Sequence, residues 1–249
     1  MNTLSYIWIA VALLTYVSLQ FVTAPFGRHT HEKWGTSISN KWGWFIMELP
    51  SLMIMCYFFY TAIQGTDSYV WILFLLWIVH YFNRTIVYPL RIKTTPKKMP
   101  LLIVCSAIFF NVVNAGLNGN FLAEAAAGDM YTASWLSSTH FLMGLPIFLL
   151  GMWINWKSDD ILIQLRKGGD TGYHIPRGFL FEFVSSPNLL GEIIEWIGFA
   201  VMAWNLPALS FAVWTLANLV PRAMRHHRWY LENFRAYPIK RKALIPYLI

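Results

Sequence analysis

Four ionisable side chains stand inside stretches that are otherwise apolar: Glu48, Arg84, Glu192 and Glu195. Placing such a group in a membrane-crossing helix costs roughly 2.5–3.5 kcal/mol on insertion scales, so it is expected to face a cavity or a partner. Glu48 lies in Phe45-Ile46-Met47-Glu48-Leu49-Pro50-Ser51, where a salt bridge to Arg84 is the simplest structural use for it. Tyr81, Arg84, Thr85 and Tyr88 are spaced i, i+3, i+4, i+7 and share one helical face. A polar stripe on an apolar helix lines something wet; the alternative is an interfacial tyrosine belt with a snorkelling arginine. Asn188 and Glu192 are four residues apart, and Glu192 and Glu195 three. Carboxylates one turn apart repel unless donors or cations separate them. Either a donor-rich ligand or an interhelical hydrogen-bond cluster would do so.

Further polar faces flank these stretches. Asn155 and Asp159 are i, i+4, with Arg166 seven residues beyond. Lys167-Gly168-Gly169-Asp170-Thr171-Gly172-Tyr173-His174-Ile175-Pro176-Arg177-Gly178 is a Gly-rich basic turn. Such a turn can approach phosphates closely and pair Arg with them, or simply be a solvated connector. Arg222, His226 and Tyr230 are i, i+4, i+8, a basic face that also suits anionic lipid. Adjacent His226 and His227 diverge on a helix, and neither HExxH nor CxxC occurs, so no metal is expected. There is no GxGxxG after a strand and no Walker A, so any nucleotide lies outside a Rossmann or P-loop site.

These residues must be positioned by helices in lipid. The 249 residues are 57% hydrophobic and 12% charged, with mean hydropathy +0.46. Soluble domains carry about 25% charged residues. An all-α polytopic membrane protein follows, with no room for a separate soluble domain. The apolar runs predict seven transmembrane helices: Leu4–Val22, Trp44–Ile63, Val70–Leu90, Leu101–Leu117, Trp135–Ile154, Leu189–Trp204 and Pro207–Val220. The first has no basic n-region, and Pro25 after Thr23-Ala24 suits cleavage poorly, so it reads as a retained helix. Cys56 and Cys105 fall within spans and read as free thiols.

Of the nineteen Lys and Arg, all but Arg84 fall in the loops 23–43, 91–100 and 155–188 and in the tail from 221. The opposite loops hold Asp67, Glu124 and Asp129 instead. The positive-inside bias then sets the N-terminus out and the C-terminus in the cytoplasm. The net charge of +7 is thereby explained without nucleic acid. The physics reaches a cytoplasm-facing polar cavity: a membrane enzyme with an anionic cofactor, or a transporter.

Several long strings carry a resemblance. Glu48-Leu49-Pro50-Ser51, His80-Tyr81-Phe82-Asn83-Arg84-Thr85, Asn188-Leu189-Leu190-Gly191-Glu192-Ile193-Ile194-Glu195-Trp196, His226-His227-Arg228-Trp229-Tyr230-Leu231 and Arg241-Lys242-Ala243-Leu244-Ile245-Pro246 resemble the steroid 5-alpha-reductases. The likeness runs from about Phe26 to the last residue. It points to the type 1 and type 2 enzymes, in a bacterial-type homologue of an inner or endoplasmic reticulum-type membrane. The resemblance implies one domain of seven helices enclosing NADPH, with a cofactor-binding half over about 101–249. It implies reduction of the 4,5 double bond of 3-keto-4-ene steroids, with no obligate protein partner. By the same resemblance Tyr81 donates to the C3 carbonyl, and Glu48 beside it donates in its protonated form. Gly27, Arg84, Tyr88, Asn114, Asn155, Asp159, Arg166, Tyr173, Asn188, Glu192, Arg222, His226 and Tyr230 match family NADPH-contact positions. Asn188 and Glu192 are implied to hold the nicotinamide amide, and Arg166 with its basic neighbours the phosphates.

The chain departs from the family pattern in three places. His174 stands where the family usually has Arg or Lys, with Arg177 placed to compensate. Phe179 replaces a Gly, and the loop Arg91–Met99 is less rich in Asn and Gly. Competing readings are a reductase of another enone lipid or sterol, a transporter or lipid-binding protein, and an isoprenylcysteine methyltransferase. The last carries Arg-His-Pro, where this chain has Arg225-His226-His227.

Overall fold

In a computed structural model, residues 2–23, 27, 34–64, 68–93, 97–128, 130–166 and 172–249 are described. Arg28, Lys33, Asp67, Asp129, Ala24-Pro25 and the stretch 167–171 of the Gly-rich turn therefore lie outside the described residues. The helices are α1 (Asn2–Phe21), α2 (Asn40–Ala62), α3 (Trp71–Phe82), α4 (Tyr88–Arg91), α5 (Leu101–Ala126), α6 (Ala133–Leu136), α7 (Thr139–Gln164), α8 (Pro187–Ala203) and α9 (Leu206–Asn233). A π turn, Asn83–Val87, joins α3 to α4, and a 3-10 turn occupies Phe179–Glu182.

Among the described residues five helical stretches are long and apolar enough to cross a bilayer: α1, α2, the run Trp71–Arg91, α5 and α7. They make the chain an all-α membrane protein. The expected sixth and seventh spans are present as α8 and α9, but neither reaches that mark. The physical reason lies in their surroundings. Helix α8 has 17 residues and buries ten of them, including Glu195. Helix α9 runs on past Pro221 to Asn233 and takes in Arg222, Arg225 and Arg228. A helix enclosed by other helices need not be long or apolar to be stable.

Helices α7 and α8 pack antiparallel with their backbones in contact. A Cβ at Gly144 or Gly151 would strike the backbone of Met202 or Glu195, and one at Gly191 or Gly198 that of Asn155 or Phe148. Glycines seven residues apart on both helices let the two axes approach, the usual device where lipid offers no hydrophobic drive between helices. The short antiparallel ribbon of β1 (Ser37–Ser39) and β2 (Lys98–Pro100) leads directly into α2 and α5. These helices run parallel, with Met47 level with Asn111 and Phe58 level with Gly119. Between them and α8 sits an aromatic core. Trp77 meets Trp196 at 5.0 Å and Phe211 at 4.9 Å, and its indole donates to Ser51 Oγ at 3.1 Å.

The C-terminal segment ties down the approach to α8. Val184 pairs with Lys242 in a parallel bridge. Arg241, 1% exposed, donates to Pro176 O at 2.9 Å and lies 3.6 Å from Glu182. Ser185 Oγ is 2.6 Å from both His227 Nδ1 and Tyr237 OH. Burial pushes the Tyr237 phenol up, so it keeps its proton beside Ser185. Phe179 adopts φ 51 and packs on Trp153 at 5.1 Å.

Candidate active site

The π turn is the local feature that arranges the polar stripe of the third span. An extra residue per turn widens the helix at Asn83–Val87, a device frequent at functional sites. Arg84 and Tyr88 are thereby brought against Trp44. The Arg84 guanidinium lies 4.6 Å over the Trp44 ring and 5.7 Å from Tyr88. Arg84 does not snorkel outward: it reaches Glu192 at 3.3 Å and Asp159 at 3.7 Å, with 12% of its side chain exposed.

The close contact of α7 and α8 extends this pair into a network. Asn188 Nδ2 donates to Asp159 Oδ1 at 3.1 Å, and Asn155 Nδ2 to Asn188 O at 3.0 Å. The two carboxylates one turn apart on α8 are separated by two different bases. Glu192 faces Arg84, whereas Glu195, fully buried, meets His80 Nδ1 at 2.8 Å. A salt bridge from Glu48 to Arg84, the purely structural alternative for this carboxylate, does not form. Glu48 Oε2 instead accepts from Asn111 Nδ2 at 3.1 Å. Asn111 Oδ1 accepts from Tyr81 OH at 3.4 Å, so one amide joins Glu48 to Tyr81.

Glu48, Tyr81, Arg84, Glu192 and Arg222 open onto one cavity of about 650 Å³. Its remaining walls are mostly apolar and aromatic, drawn from α1, α5 and α9, with Trp8, Phe110 and Trp214 prominent. A smaller cavity of about 170 Å³ collects Gly27, Tyr88, Arg166, Tyr173, His226 and Tyr230, with Lys93, Lys97 and Lys98 among them. Trp44 belongs to the walls of both. In the smaller one the Lys97 ammonium lies 3.8 Å over the Tyr173 ring, with Arg166 at 5.5 Å.

Not every expected contact residue lines a cavity. Asn155, Asp159 and Asn188 stand behind Arg84 as its support. Asn114 is fully buried on α5, and its side-chain nitrogen and oxygen have no hydrogen-bond partner among the described residues. Arg177 is exposed and lines neither cavity. Asn111 and His80 carried no role in the sequence reading. A signal for Asn111 was present: Asn111, Asn114 and Asn118 are i, i+3, i+7 on an otherwise apolar helix.

The described residues form no cluster suited to a metal ion. Two cavities share Trp44, one lined by carboxylates and a tyrosine among apolar side chains and the other by several cations. Residues 97–249 match the family model for 3-oxo-5-alpha-steroid 4-dehydrogenase. The chain is 42% identical over 242 residues to steroid 5-alpha-reductase DET2 of Gossypium hirsutum, covering 96% of this chain and 93% of that one. It is 39% identical over 254 residues to 3-oxo-5-alpha-steroid 4-dehydrogenase 1 of Mus musculus, with 100% and 97% covered. To the Homo sapiens protein of the same name it is 38% identical over 247 residues, with 98% and 94% covered. The chain belongs to the steroid 5-alpha-reductase family of oxidoreductases. These relatives are plant and mammalian, so the expectation of a bacterial type has no support in them.

Proposed function

We propose that the protein reduces the 4,5 double bond of 3-keto-4-ene steroids with NADPH. The observation that carries the proposal is the 650 Å³ apolar cavity that holds Glu48 and Tyr81 on one wall and Glu192 on another. The residues fit the cofactor. Glu192 Oε2 is buried, and although it meets Arg84 as an ion pair it accepts no hydrogen bond from the described residues, which suits a carboxamide N–H. Lys93, Lys97, Lys98 and Arg166 beyond Trp44 suit the phosphates, including a 2′-phosphate. Gly27, with φ 58 and no atom within 4 Å of a Cβ, lets backbone approach there. Bound NADPH would supply the hydride that C5 receives.

As C5 gains that hydride, the C4=C5 electron pair moves toward C3 and negative charge collects on the C3 oxygen. Tyr81 OH, and Glu48 in its protonated form, hold protons against that oxygen. Donors aimed at developing charge in a dry site each lower a barrier by about 3–4 kcal/mol. A proton added at C4 completes the reduction. Arg84, pinned by Asp159 and Glu192, fixes the helix that carries Tyr81. The same reading includes seven membrane-crossing helices with the N-terminus outside and the basic segments in the cytoplasm.

The test is to incubate detergent-purified protein with NADPH and testosterone or progesterone. Mass spectrometry then looks for a gain of two hydrogens with 5-alpha stereochemistry, with Glu48→Gln as control. Product from the wild type and little from the variant supports reaction and site together. Bound NADPH without steroid product redirects the substrate to another enone lipid. A folded protein that binds no NADPH overturns the enzyme reading in favour of a transporter or lipid-binding protein.

A further inference from the structure

Asn111 lies on α5 at the level of Met47 and Glu48 of α2, and it is 3% exposed. Its Nδ2 donates twice, to Met47 O at 2.6 Å and to Glu48 Oε2 at 3.1 Å. Its Oδ1 accepts from Tyr81 OH at 3.4 Å. A side-chain amide has two chemically different ends, and the network around it decides which end faces where. Here the decision comes from Met47 O. A backbone carbonyl only accepts, so the end of Asn111 that touches it must be the NH₂. The carbonyl end is then left facing Tyr81. A flipped amide would set oxygen against oxygen at Met47 and leave a buried carbonyl unsatisfied, a cost of about 1–3 kcal/mol.

This fixed orientation has two consequences for the neighbours. Glu48 Oε2 is committed as an acceptor, so a proton on Glu48 resides on Oε1, the oxygen Asn111 does not hold. Toward Asn111 Oδ1 the Tyr81 hydroxyl can only donate, with the Ser51 side chain its other polar neighbour. At 3.4 Å its bond to Asn111 is long, so a better acceptor displaces it at little cost.

We propose that Asn111 is a positioning residue for both donors of this cavity: it parks the Tyr81 proton until the steroid carbonyl arrives, and it leaves the Glu48 proton on Oε1, the oxygen it does not hold. The proposal rests on the reading of Glu48 and Tyr81 as donors to the C3 carbonyl. Asn111 is itself among the residues lining the cavity, and the role proposed for it comes from its bonds to Glu48 and Tyr81. It acts through its two neighbours, one on α2 and one on α3.

The experiment reads polarisation and turnover separately. A 3-keto-4-ene steroid carrying a carbon-13 label at C3 is bound to the protein, and the carbonyl stretch is recorded by difference infrared spectroscopy. Steady-state kinetics and direct NADPH binding are measured on the same samples. Asn111→Leu is expected to lose about half or more of the wild-type red shift and to lower kcat about 10–100-fold, the range for a residue that orients a functional group rather than being one. NADPH affinity and steroid KM stay within about threefold, since the bonds to the carbonyl strengthen mainly as charge develops on it in the transition state. Asn111→Asp, which keeps the shape and the acceptor but cannot donate to Glu48, is expected to fall with it; it also stands in should the leucine variant not fold. In a Tyr81→Phe plus Glu48→Gln background, Asn111→Leu is expected to cost nothing further. An unshifted carbonyl frequency and unchanged kcat in the single variants overturn the positioning role while leaving the reductase reading intact. So does a full additional loss in the double background, which marks a merely structural residue. A wild-type protein that neither polarises the carbonyl nor reduces the steroid sinks the underlying reading instead.

Discussion

Helices α7 and α8 touch backbone to backbone, whereas α1 lies along the same cavity with only Ser5, Trp8 and Ala12 buried. The first region holds the Arg84–Asp159–Asn188–Glu192 network, where each polar group is fixed by the next. The second contributes Trp8, Val11 and Thr15 to the cavity wall and otherwise faces outward, with Leu13 and Leu14 more than half exposed. Fixed polar geometry is invested where helices cannot separate. Apolar enclosure is left to a helix that packs along α9, with Trp8 on Trp214 at 4.7 Å and Arg225 donating to Gln20 O at 2.6 Å. Directional hydrogen bonds tolerate little displacement, while apolar contact is nearly isotropic.

The comparison breaks first at the glycines. Gly191→Leu should drive a side chain into the backbone of Asn155 and Gly151, costing at least about 3 kcal/mol and lowering the unfolding temperature in detergent sharply. Gly116→Ala, where no atom lies within 4 Å of the added Cβ, should leave stability unchanged or raise it by about 0.5–1 kcal/mol. Equal losses at both positions would show that the close approach of α7 and α8 is not what sets Gly191 apart. At the donor end, Glu48→Gln should lower kcat by about two orders of magnitude with NADPH still bound, and Tyr81→Phe should act on the same step. Full turnover in either variant would remove that residue from the chemistry.

Smaller effects sharpen the contrast. Asn188→Ala or Glu192→Ala should weaken NADPH binding about tenfold, or about 1.4 kcal/mol, read by direct titration. Undiminished affinity in both would detach the α8 network from the cofactor. On the opposite side, Leu13→Ala at a position 55% exposed should change stability by less than about 0.5 kcal/mol. A loss comparable to that at Gly191 would mean that α1 is as tightly engaged as α8.

The sequence by itself determined where apolar segments lie, which polar residues share a helical face, and which family the chain resembles. Asn155 with Asp159 and Arg222 with His226 and Tyr230 were legible because i, i+4 spacing is a local property of one helix. The elements α8 and α9 were legible too. Their enclosure was not, because burial depends on neighbours that local composition does not name. Only the tertiary structure decided which acid meets which base: Glu192 with Arg84, Glu195 with His80, and Glu48 with Asn111 rather than Arg84. Such pairings join residues as far apart in the chain as 80 and 195. They are set by the axial offset and rotation of whole helices, here fixed by glycine contacts between α7 and α8 and by a π turn. A shift of one residue in either would exchange partners without altering a single local pattern.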